Sequence, residues 1–168
     1  MSECAIQNFT GQRFATYHDE SGTPLIRRLA SHPGAPSADG TISNPIWATR
    51  EMPAEMSQAF LKQAPTISAS STGSYFTTYD IPPSFDGPEH RTQTIDYVLV
   101  LQGTIKLTTG DGSSTILHEG DTVVQLGTMH KWTNMGDGWA RMVTVMLPAE
   151  SLVIQGETLQ PVWPYDWA

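Results

Sequence analysis

The segment HRTQTIDYVLVLQGTIKLTTGDGSST, residues 90–115, contains the clearest evidence about how this chain folds. Its runs DYVLVLQ and IKLTT are short and rich in the apolar and β-branched residues typical of strands. Gly103 divides the two runs at a place where a sheet must bend or turn sharply. Asp111 and Gly112 lie between two further strand-like runs, and both residue types tolerate the positive φ that a hairpin turn requires. The segment therefore predicts antiparallel strands joined by tight turns.

The same pattern continues through the second half of the chain. Short β-rich runs separated by turn residues predict strands near 74–81, 94–102, 104–109, 114–117, 121–126 and 139–147. Many short strands with glycine at the corners are typical of a small antiparallel barrel or jelly roll. The predicted fold class is therefore all-β.

One domain with flanking segments accounts for the whole chain, because 168 residues with 39% hydrophobic content suffice for a single core. We expect residues 73–148 to form the barrel core. Residues 1–50 are predicted to be an N-terminal arm with strands that pack on the barrel. Residues 51–72 are predicted to be a short helix and loop, with Pro53 at a position that the first helical turn tolerates.

The C-terminal tail, residues 149–168, is rich in aromatic side chains and proline. Trp163, Tyr165 and Trp167 follow one another within a few residues. Three exposed aromatic rings would form an adhesive surface. We therefore expect them to be buried against the body of the protein, a second subunit or the mouth of the barrel.

Charge and cysteine content limit the possible partners and compartments. The chain has 9 Lys and Arg against 17 Asp and Glu, a formal net charge of -8, which repels a phosphate backbone or an anionic lipid surface. We expect no nucleic-acid partner and no membrane association, and no run approaches the roughly 18 apolar residues of a spanning helix. The single cysteine, Cys4, supports no disulfide framework, and nothing at the N-terminus resembles a secretory signal, so we expect a cytoplasmic protein.

Three polar residues before the apolar run suggest a functional site. If a strand is regular from residue 90 to 96, His90, Thr92 and Asp96 point to one face. Val98 and Val100 continue that face and are apolar, which predicts that it faces the barrel interior. Ionisable groups at such a place are costly unless they are paired, hydrogen-bonded or bound to metal. The alternative is that these groups lie at a rim and cap backbone atoms.

A second segment, GDTVVQLGTMHKWTN, strengthens the functional interpretation, since Gly127 permits a turn and His130 follows three residues later. Together the two segments resemble the two motifs of the cupin superfamily, and the resemblance covers roughly residues 74–147. In the first motif the matching positions are His90, Thr92, Asp96 and Gly103. In the second they are Gly120, Gly127, His130 and Asn134, with Gln125 where proline is usual. The segments HRTQTIDY and GTMHKW further resemble a subgroup of small single-domain cupins in fungi and bacteria, several of which belong to natural-product pathways.

The resemblance implies a cupin jelly-roll barrel with a site inside it. Cupins that hold a metal firmly usually offer three His and one Glu, whereas this chain has Thr92 in place of one histidine and Asp96 in place of the glutamate. Two histidines and one carboxylate, His90, Asp96 and His130, can still bind one divalent Zn, Fe or Mn ion. Without metal, the same residues form an acid–base set. The sequence leaves both possibilities open.

Five further side chains are candidates for contact with a small-molecule substrate. Thr92 lies between His90 and Asp96 in the first motif. Tyr75 and Tyr79 share one face of the preceding strand with Thr77, Gln125 offers an amide at a barrel position, and Trp132 shares the parity of His130. For Trp132 and the tyrosines, packing in the core is the alternative role.

Three functions are compatible with these residues. The first is a lyase or isomerase that dehydrates, decarboxylates or aromatises a small oxygenated carbonyl compound or polyketide, with His130 as base and His90 and Asp96 as acid partners or metal ligands. The second is an Fe(II)-dependent oxygenase. The third is a non-catalytic binder of a small ligand. The resemblance also implies a homodimer formed by packing of sheets.

Overall fold

A computed structural model of the protein describes residues 11–30, 34–56 and 72–163. These residues form β-strands, turns and bends, with no helix among them. The strands are β1 (Phe14–His18), β2 (Pro24–Arg28), β3 (Ala35–Pro36), β4 (Ile42–Ala48), β5 (Tyr75–Ile81), β6 (Thr94–Gln102), β7 (Ile105–Thr109), β8 (Ser114–Leu117), β9 (Thr122–Leu126), β10 (His130–Asn134), β11 (Ala140–Pro148), β12 (Val153–Ile154) and β13 (Glu157–Thr158).

Two antiparallel sheets face each other across the core. The large sheet has six strands in the order β3-β4-β5-β11-β6-β9, and the small sheet has three in the order β10-β7-β8. Every second residue is buried along most of β6 and β11, the neighbouring strands in the middle of the large sheet, which is the period expected when one face of a sheet covers the core. The buried cluster from both sheets comprises Ile81, Val98, Val100, Ile105, Leu107, Leu117, Ala140 and Met142. The all-β prediction is confirmed for the described residues.

The small sheet extends beyond its three regular strands. Single antiparallel bridges join Asp86 to Thr133, His90 to His130, and Arg91 to Val162. Residues 86–91 therefore run beside β10, and the chain near Val162 runs beside residues 90 and 91. Across this extended sheet the order is the C-terminal segment, residues 86–91, β10, β7 and β8.

Most of the predicted strands agree with the structure, including the hairpin at Asp111 and Gly112, where Gly112 has φ 83°. Strand β10 was absent from the predicted set, although the shared parity of His130, Trp132 and Asn134 is what its geometry requires. The expected helix is not formed by residues 51–56, which contain bends only, and residues 57–71 lie outside the described part of the chain.

The chain does not form a regular strand from 90 to 96, which was the condition for His90, Thr92 and Asp96 to share one face. Strand β6 begins at Thr94, and the chain bends at Gln93. The physical reason is that His90 pairs with the small sheet whereas Asp96 belongs to the large sheet, so the chain must cross between the sheets within a few residues. Inside the crossing, the Thr94 hydroxyl donates to the Thr92 hydroxyl at 2.6 Å.

The N-terminal arm has two parts. Strands β3 and β4 join the edge of the large sheet through pairing of β4 with β5. Strands β1 and β2 form a separate hairpin, anchored at its base by Arg13, whose guanidinium donates to the carbonyl oxygens of Ile46 and Ala30 at 2.6–3.0 Å. In the described ranges, no helix has the length and apolar character needed to cross a membrane.

Candidate functional site

Two crossings between the sheets meet at one end of the barrel. The chain passes from the small sheet to the large one between residues 91 and 94, and from the large sheet to the small one between residues 126 and 130. Gly127 lies in the second crossing with φ 63°, and a Cβ there would come within 3.3 Å of the Thr92 carbonyl oxygen in the first. Because the crossings touch, the residues that flank them gather at the same end of the interior.

The histidines of the two motifs lie side by side. His90 and His130 are direct partners across the extended small sheet, and their ring centroids are 4.3 Å apart with planes inclined at 51°. His90 Nδ1 lies 3.1 Å from the Pro88 carbonyl oxygen, and His130 Nδ1 lies 2.9 Å from the Thr128 carbonyl oxygen. A carbonyl oxygen can only accept, so in each neutral ring Nδ1 carries the proton and Nε2 has the free lone pair. The sequence therefore predicted correctly that these two residues meet.

Burial keeps both imidazoles neutral. His130 is 2% exposed, and this desolvation, with a smaller effect of the nearby His90 charge, lowers its pKa to about 4, against the opposing effect of the Thr128 carbonyl. Desolvation also lowers the pKa of His90, and its hydrogen bond to Pro88 opposes that change. At neutral pH the pair offers two proton acceptors or two metal-ligand atoms.

Asp96 is buried on the opposite sheet. It is 6% exposed, and desolvation raises the pKa of its carboxyl to about 6, against a smaller opposing effect of the Thr94 hydroxyl. Among the described residues, its Oδ1 has no hydrogen-bond partner. A buried oxygen without a partner costs free energy unless it is protonated or a bound molecule supplies a donor. The carboxyl is thus suited to hold a proton inside the barrel.

The three predicted ligands do not form one metal-binding group. In the described ranges, the structure gathers no set of three His, Cys, Asp or Glu side chains that could hold an ion. His90 and His130 present two nitrogens together, but Asp96 does not join them. The protein ligand set that the sequence predicted is therefore incomplete here, and the assignment of His90, Asp96 and His130 to a metal stays a prediction.

The predicted substrate-binding residues on the large sheet lie on its inner face. Tyr75 is buried and its hydroxyl lies 3.3 Å from Ser43 Oγ, which also contacts Thr77 Oγ1 at 3.1 Å. Burial raises the pKa of Tyr79, and the Asp96 charge contributes to the rise. These hydroxyls remain protonated donors at neutral pH. Their contact with substrate stays a prediction.

Gln125 and Thr92 already have partners at the crossings. Gln125 is buried, directly opposite Asp96 in the register of β6 and β9, and its Nε2 donates to Thr128 Oγ1 at 2.8 Å. Thr92 is also buried, and its hydroxyl accepts the hydrogen bond from Thr94. A cavity of about 340 Å³ opens beside the crossings, lined in part by Thr92, Gly127 and Pro161. Gln125 and Thr92 therefore stabilise the crossings through these hydrogen bonds, whether or not they also touch a substrate.

Two tryptophans flank the histidine pair. Trp132 packs against the core and meets His130 edge to face, with ring centroids 5.7 Å apart. Trp163 stands beside His90 with ring centroids 6.4 Å apart and planes inclined at only 18°. Of the three tail aromatics expected to be buried, Trp163 is 40% exposed beside His90, and Tyr165 and Trp167 lie outside the described residues. No local pattern in the sequence could assign Trp163 to His90. The signal is the pairing of Arg91 with Val162, which links positions far apart in the chain.

An antiparallel jelly-roll barrel with histidines from two sheet crossings defines a class of small β-barrel proteins with an interior site. A comparison with known families matches residues 77–146 to the Cupin domain family. Among curated proteins, the chain is 36% identical over 163 residues to Phomopsin biosynthesis cluster protein C' of Diaporthe leptostromiformis, covering 89% of this chain and 85% of the relative. It is 29% identical over 157 residues to the Cupin-domain-containing oxidoreductase fogC of Aspergillus ruber, covering 88% and 77% of the two chains.

Solved structures agree on the fold. The Cnp3 cupin domain of Schizosaccharomyces pombe superposes with a TM-score of 0.51 at 12% identity, over 82% of this chain and 88% of that one. At this identity the likeness concerns the fold alone. The family match and the sequence relationship, by contrast, establish that the chain belongs to the cupin family.

Proposed function

We propose that this protein is a lyase or isomerase that moves protons on a small oxygenated carbonyl compound of the polyketide type, by dehydration, decarboxylation or aromatisation. The observation that carries the proposal is the paired imidazoles, whose Nδ1 atoms are both hydrogen-bonded to carbonyl oxygens. Each neutral ring then presents Nε2 as a proton acceptor. Similarity to a protein named for the phomopsin biosynthesis cluster supports a role in a natural-product pathway.

The proposed base is His130 and the proposed acid is Asp96. The pKa of His130 is lowered to about 4 and that of Asp96 is raised to about 6, which reverses the order of the free side chains. Between these values the carboxyl keeps its proton while the imidazole can accept one. The two groups belong to facing sheets, so a substrate between them could lose a proton on one side and gain one on the other.

For a dehydration, the proposed step balances without any change of oxidation state. His130 Nε2 removes a proton from the carbon next to the carbonyl group, and the C–H electron pair forms the enol while Asp96 donates a hydrogen bond or proton to the carbonyl oxygen. The enol oxygen then returns its proton to Asp96 as the carbonyl re-forms, and the β-hydroxyl group is expelled, takes the proton from His130 and leaves as water. His90 stays neutral beside His130 while His130 carries the proton. It takes no proton in this step, so we assign it a positioning role.

The first half of that step can be measured with 2-tetralone, a small ketone with an acidic C–H group. In deuterium oxide, we expect the protein to accelerate exchange of the hydrogen at the carbon between the carbonyl and the aromatic ring, followed by NMR. His130→Gln should reduce the acceleration at least about 100-fold, since general base catalysis contributes about 100- to 10,000-fold. The matched control is His118→Gln, because His118 is an exposed histidine on a different turn.

Equal exchange rates for the wild type and His130→Gln, with both proteins folded, would remove His130 as the base. Binding of 2-tetralone without any acceleration by the wild type would favour the non-catalytic binder instead. The control variant separates a specific effect from the loss of any one imidazole.

A second candidate function is an Fe(II)-dependent oxygenase, favoured by the name of the relative fogC, a cupin-domain-containing oxidoreductase. The two Nε2 atoms would be the protein's ligands for such an ion, but the described residues add no third acidic or imidazole ligand beside them. Oxygen uptake with 2-tetralone that appears on addition of Fe(II), and is lost in both His90→Gln and His130→Gln, would support this alternative. Exchange without oxygen uptake supports the lyase or isomerase.

A further inference from the structure

The C-terminal strap, residues 159–163, is fixed to the segment that carries His90. The backbones of Arg91 and Val162 exchange two N–H···O hydrogen bonds, each 2.9 Å long. The Arg91 guanidinium also donates through Nε and Nη2 to the Gln160 carbonyl oxygen, at 3.0 and 2.6 Å. Two N–H groups that converge on one carbonyl oxygen fix both its distance and its direction. The strap is thus a bound edge of the extended small sheet.

This pairing sets the position of Trp163. In antiparallel register the residue opposite His90 is Trp163, because Arg91 is opposite Val162. Paired residues share a face, so Trp163 points to the same side of the sheet as His90. The nearly parallel rings, with centroids 6.4 Å apart, agree with that register. Trp163, His90 and His130 therefore form one continuous row of rings, and Trp163 remains 40% exposed at its end.

The surroundings of the row favour a flat, uncharged ligand. Trp132 meets His130 in a T-shaped contact, so each imidazole of the row has an indole beside it. Buried basic side chains in the described ranges are engaged elsewhere: Arg13 binds backbone carbonyls, and the partly buried Arg141 pairs with Asp80. Asp96 is a carboxyl group and brings no positive charge to attract an anionic ligand. Aromatic rings bind planar π-systems by offset stacking with centroids about 4.5–7 Å apart.

We propose that Trp163 is a substrate-binding residue, and that the strap uses it to select a neutral, planar, conjugated ring system at the histidine pair. This inference rests on the proposed function for the identity of the site and adds the substrate's shape and charge. The conjugated part of the ligand stacks on the indole, and its oxygen substituents face the imidazoles and the hydroxyl groups of the large sheet. A saturated ring of the same size lacks the flat π-face and gains little from the indole.

The test compares two probes that differ in planarity: 2-naphthol, which is flat, and decahydro-2-naphthol, which has the same ring skeleton but is saturated. Titration calorimetry on the wild type should give tighter binding of 2-naphthol. In Trp163→Leu, which keeps an apolar side chain without a π-face, we expect the Kd for 2-naphthol to rise about tenfold while that for the saturated alcohol changes less than about twofold. Trp163→Phe should keep most of the preference.

Trp139→Leu is the matched control, because Trp139 is a partly buried tryptophan beside Gly103, on the connection to β11. It should leave the preference for 2-naphthol unchanged. Arg91→Ala tests the strap separately, since the guanidinium pairs with Gln160 outside the row of rings. It should weaken 2-naphthol binding in the same direction as Trp163→Leu, whereas Lys131→Ala, which breaks the exposed ion pair with Asp86, should not.

Two results would overturn the inference. One is that Trp163→Leu weakens both probes equally, which would make the residue a structural support only. The other is that it weakens neither. Failure of the proposed function would look different from either result. It would appear as 2-tetralone exchange that does not depend on His130. If 2-naphthol binding is selective and depends on Trp163, but the protein does not accelerate 2-tetralone exchange, Trp163 keeps its role as a binding residue and the catalytic assignment is removed.

Discussion

Two residues of the site respond to acid in opposite directions. The pKa of His130 is lowered from 6.5 to about 4. Between pH 6.5 and pH 4 the imidazole is therefore protonated in the unfolded chain but not in the folded protein. Its contribution to stability is therefore lost as the pH falls from 6.5 to 4. The pKa of Asp96 is raised from 3.8 to about 6, so in that range the folded protein holds a proton that the unfolded chain has lost. Its contribution to stability is gained as the pH falls from 6 to 3.8.

Single substitutions should expose each effect, because one pKa unit corresponds to about 1.4 kcal/mol. Relative to the wild type, Asp96→Asn should lose about 2–3 kcal/mol of unfolding free energy between pH 6.5 and pH 4, and His130→Gln should gain a similar amount. Urea denaturation of metal-free protein at several pH values measures both. Parallel pH profiles for the wild type and the two variants would contradict the burial that the structure assigns to these groups.

At the scale of residues, the sequence predicted which two histidines lie together but not where the carboxylate lies. The motif positions identified His90 and His130, and the structure brings them together. The first motif also identified Asp96, but the assumption of an unbroken strand put that carboxyl on the same face as His90. The bend at Gln93 moves Asp96 to the opposite sheet, and nothing local in the segment TQT distinguishes a bend from a strand.

Among the elements, the tight crossing at Gly127 has the strictest requirement. Its φ of 63° favours glycine, and an added Cβ would approach the Thr92 carbonyl oxygen to 3.3 Å. Gly112 provides the comparison, because its φ is 83° but a Cβ there would meet nothing within 4 Å. Gly112→Ala thus measures the cost of the backbone conformation alone.

We expect Gly112→Ala to cost about 1–2 kcal/mol and Gly127→Ala to cost more, because the second substitution also presses the two crossings apart. Thermal or urea unfolding of both variants gives the difference. Gly127→Ala should also change the NMR signals of the His90 and His130 rings, whereas Gly112→Ala should not. Equal costs and unchanged ring signals in both variants would show that the two crossings do not depend on each other.

The strands were predictable because short apolar runs between turn residues report directly on burial and chain reversal. The pairing of the strap was not, since Arg91 and Val162 meet only when the whole barrel has formed. Strand β10 is an intermediate case. Its sequence HKWTN has one strand-forming aromatic residue among polar ones and no apolar run, so the parity of its side chains was clearer than its existence as an element.

The whole molecule presents an apolar face outside the barrel. On the outer side of β6 and β9, Tyr97 lies directly opposite Val124, and Ile95 directly opposite Leu126. Tyr97, Leu101, Val124 and Leu126 are 47%, 42%, 57% and 61% exposed. The outward residues of these two strands carry no charge, although the chain as a whole has a formal net charge of -8. Two copies of an acidic chain can therefore approach at this face without bringing like charges together.

A second copy is accordingly the expected occupant, packed sheet against sheet about a two-fold axis, where one apolar patch covers an identical one. Val124→Lys places a charge at the centre of that patch and should convert a dimer into a monomer in sedimentation equilibrium, with the fold retained. Val153→Lys is the control, because Val153 is equally exposed at 56% but lies on the small hairpin of β12 and β13. A monomeric wild-type protein, or a dimer that Val124→Lys leaves intact, would mean that this face is not the interface. The histidine pair lies on the inner side of the small sheet, so dissociation should leave 2-tetralone exchange unchanged, and a loss of exchange in the monomer would instead make the site dependent on the second subunit.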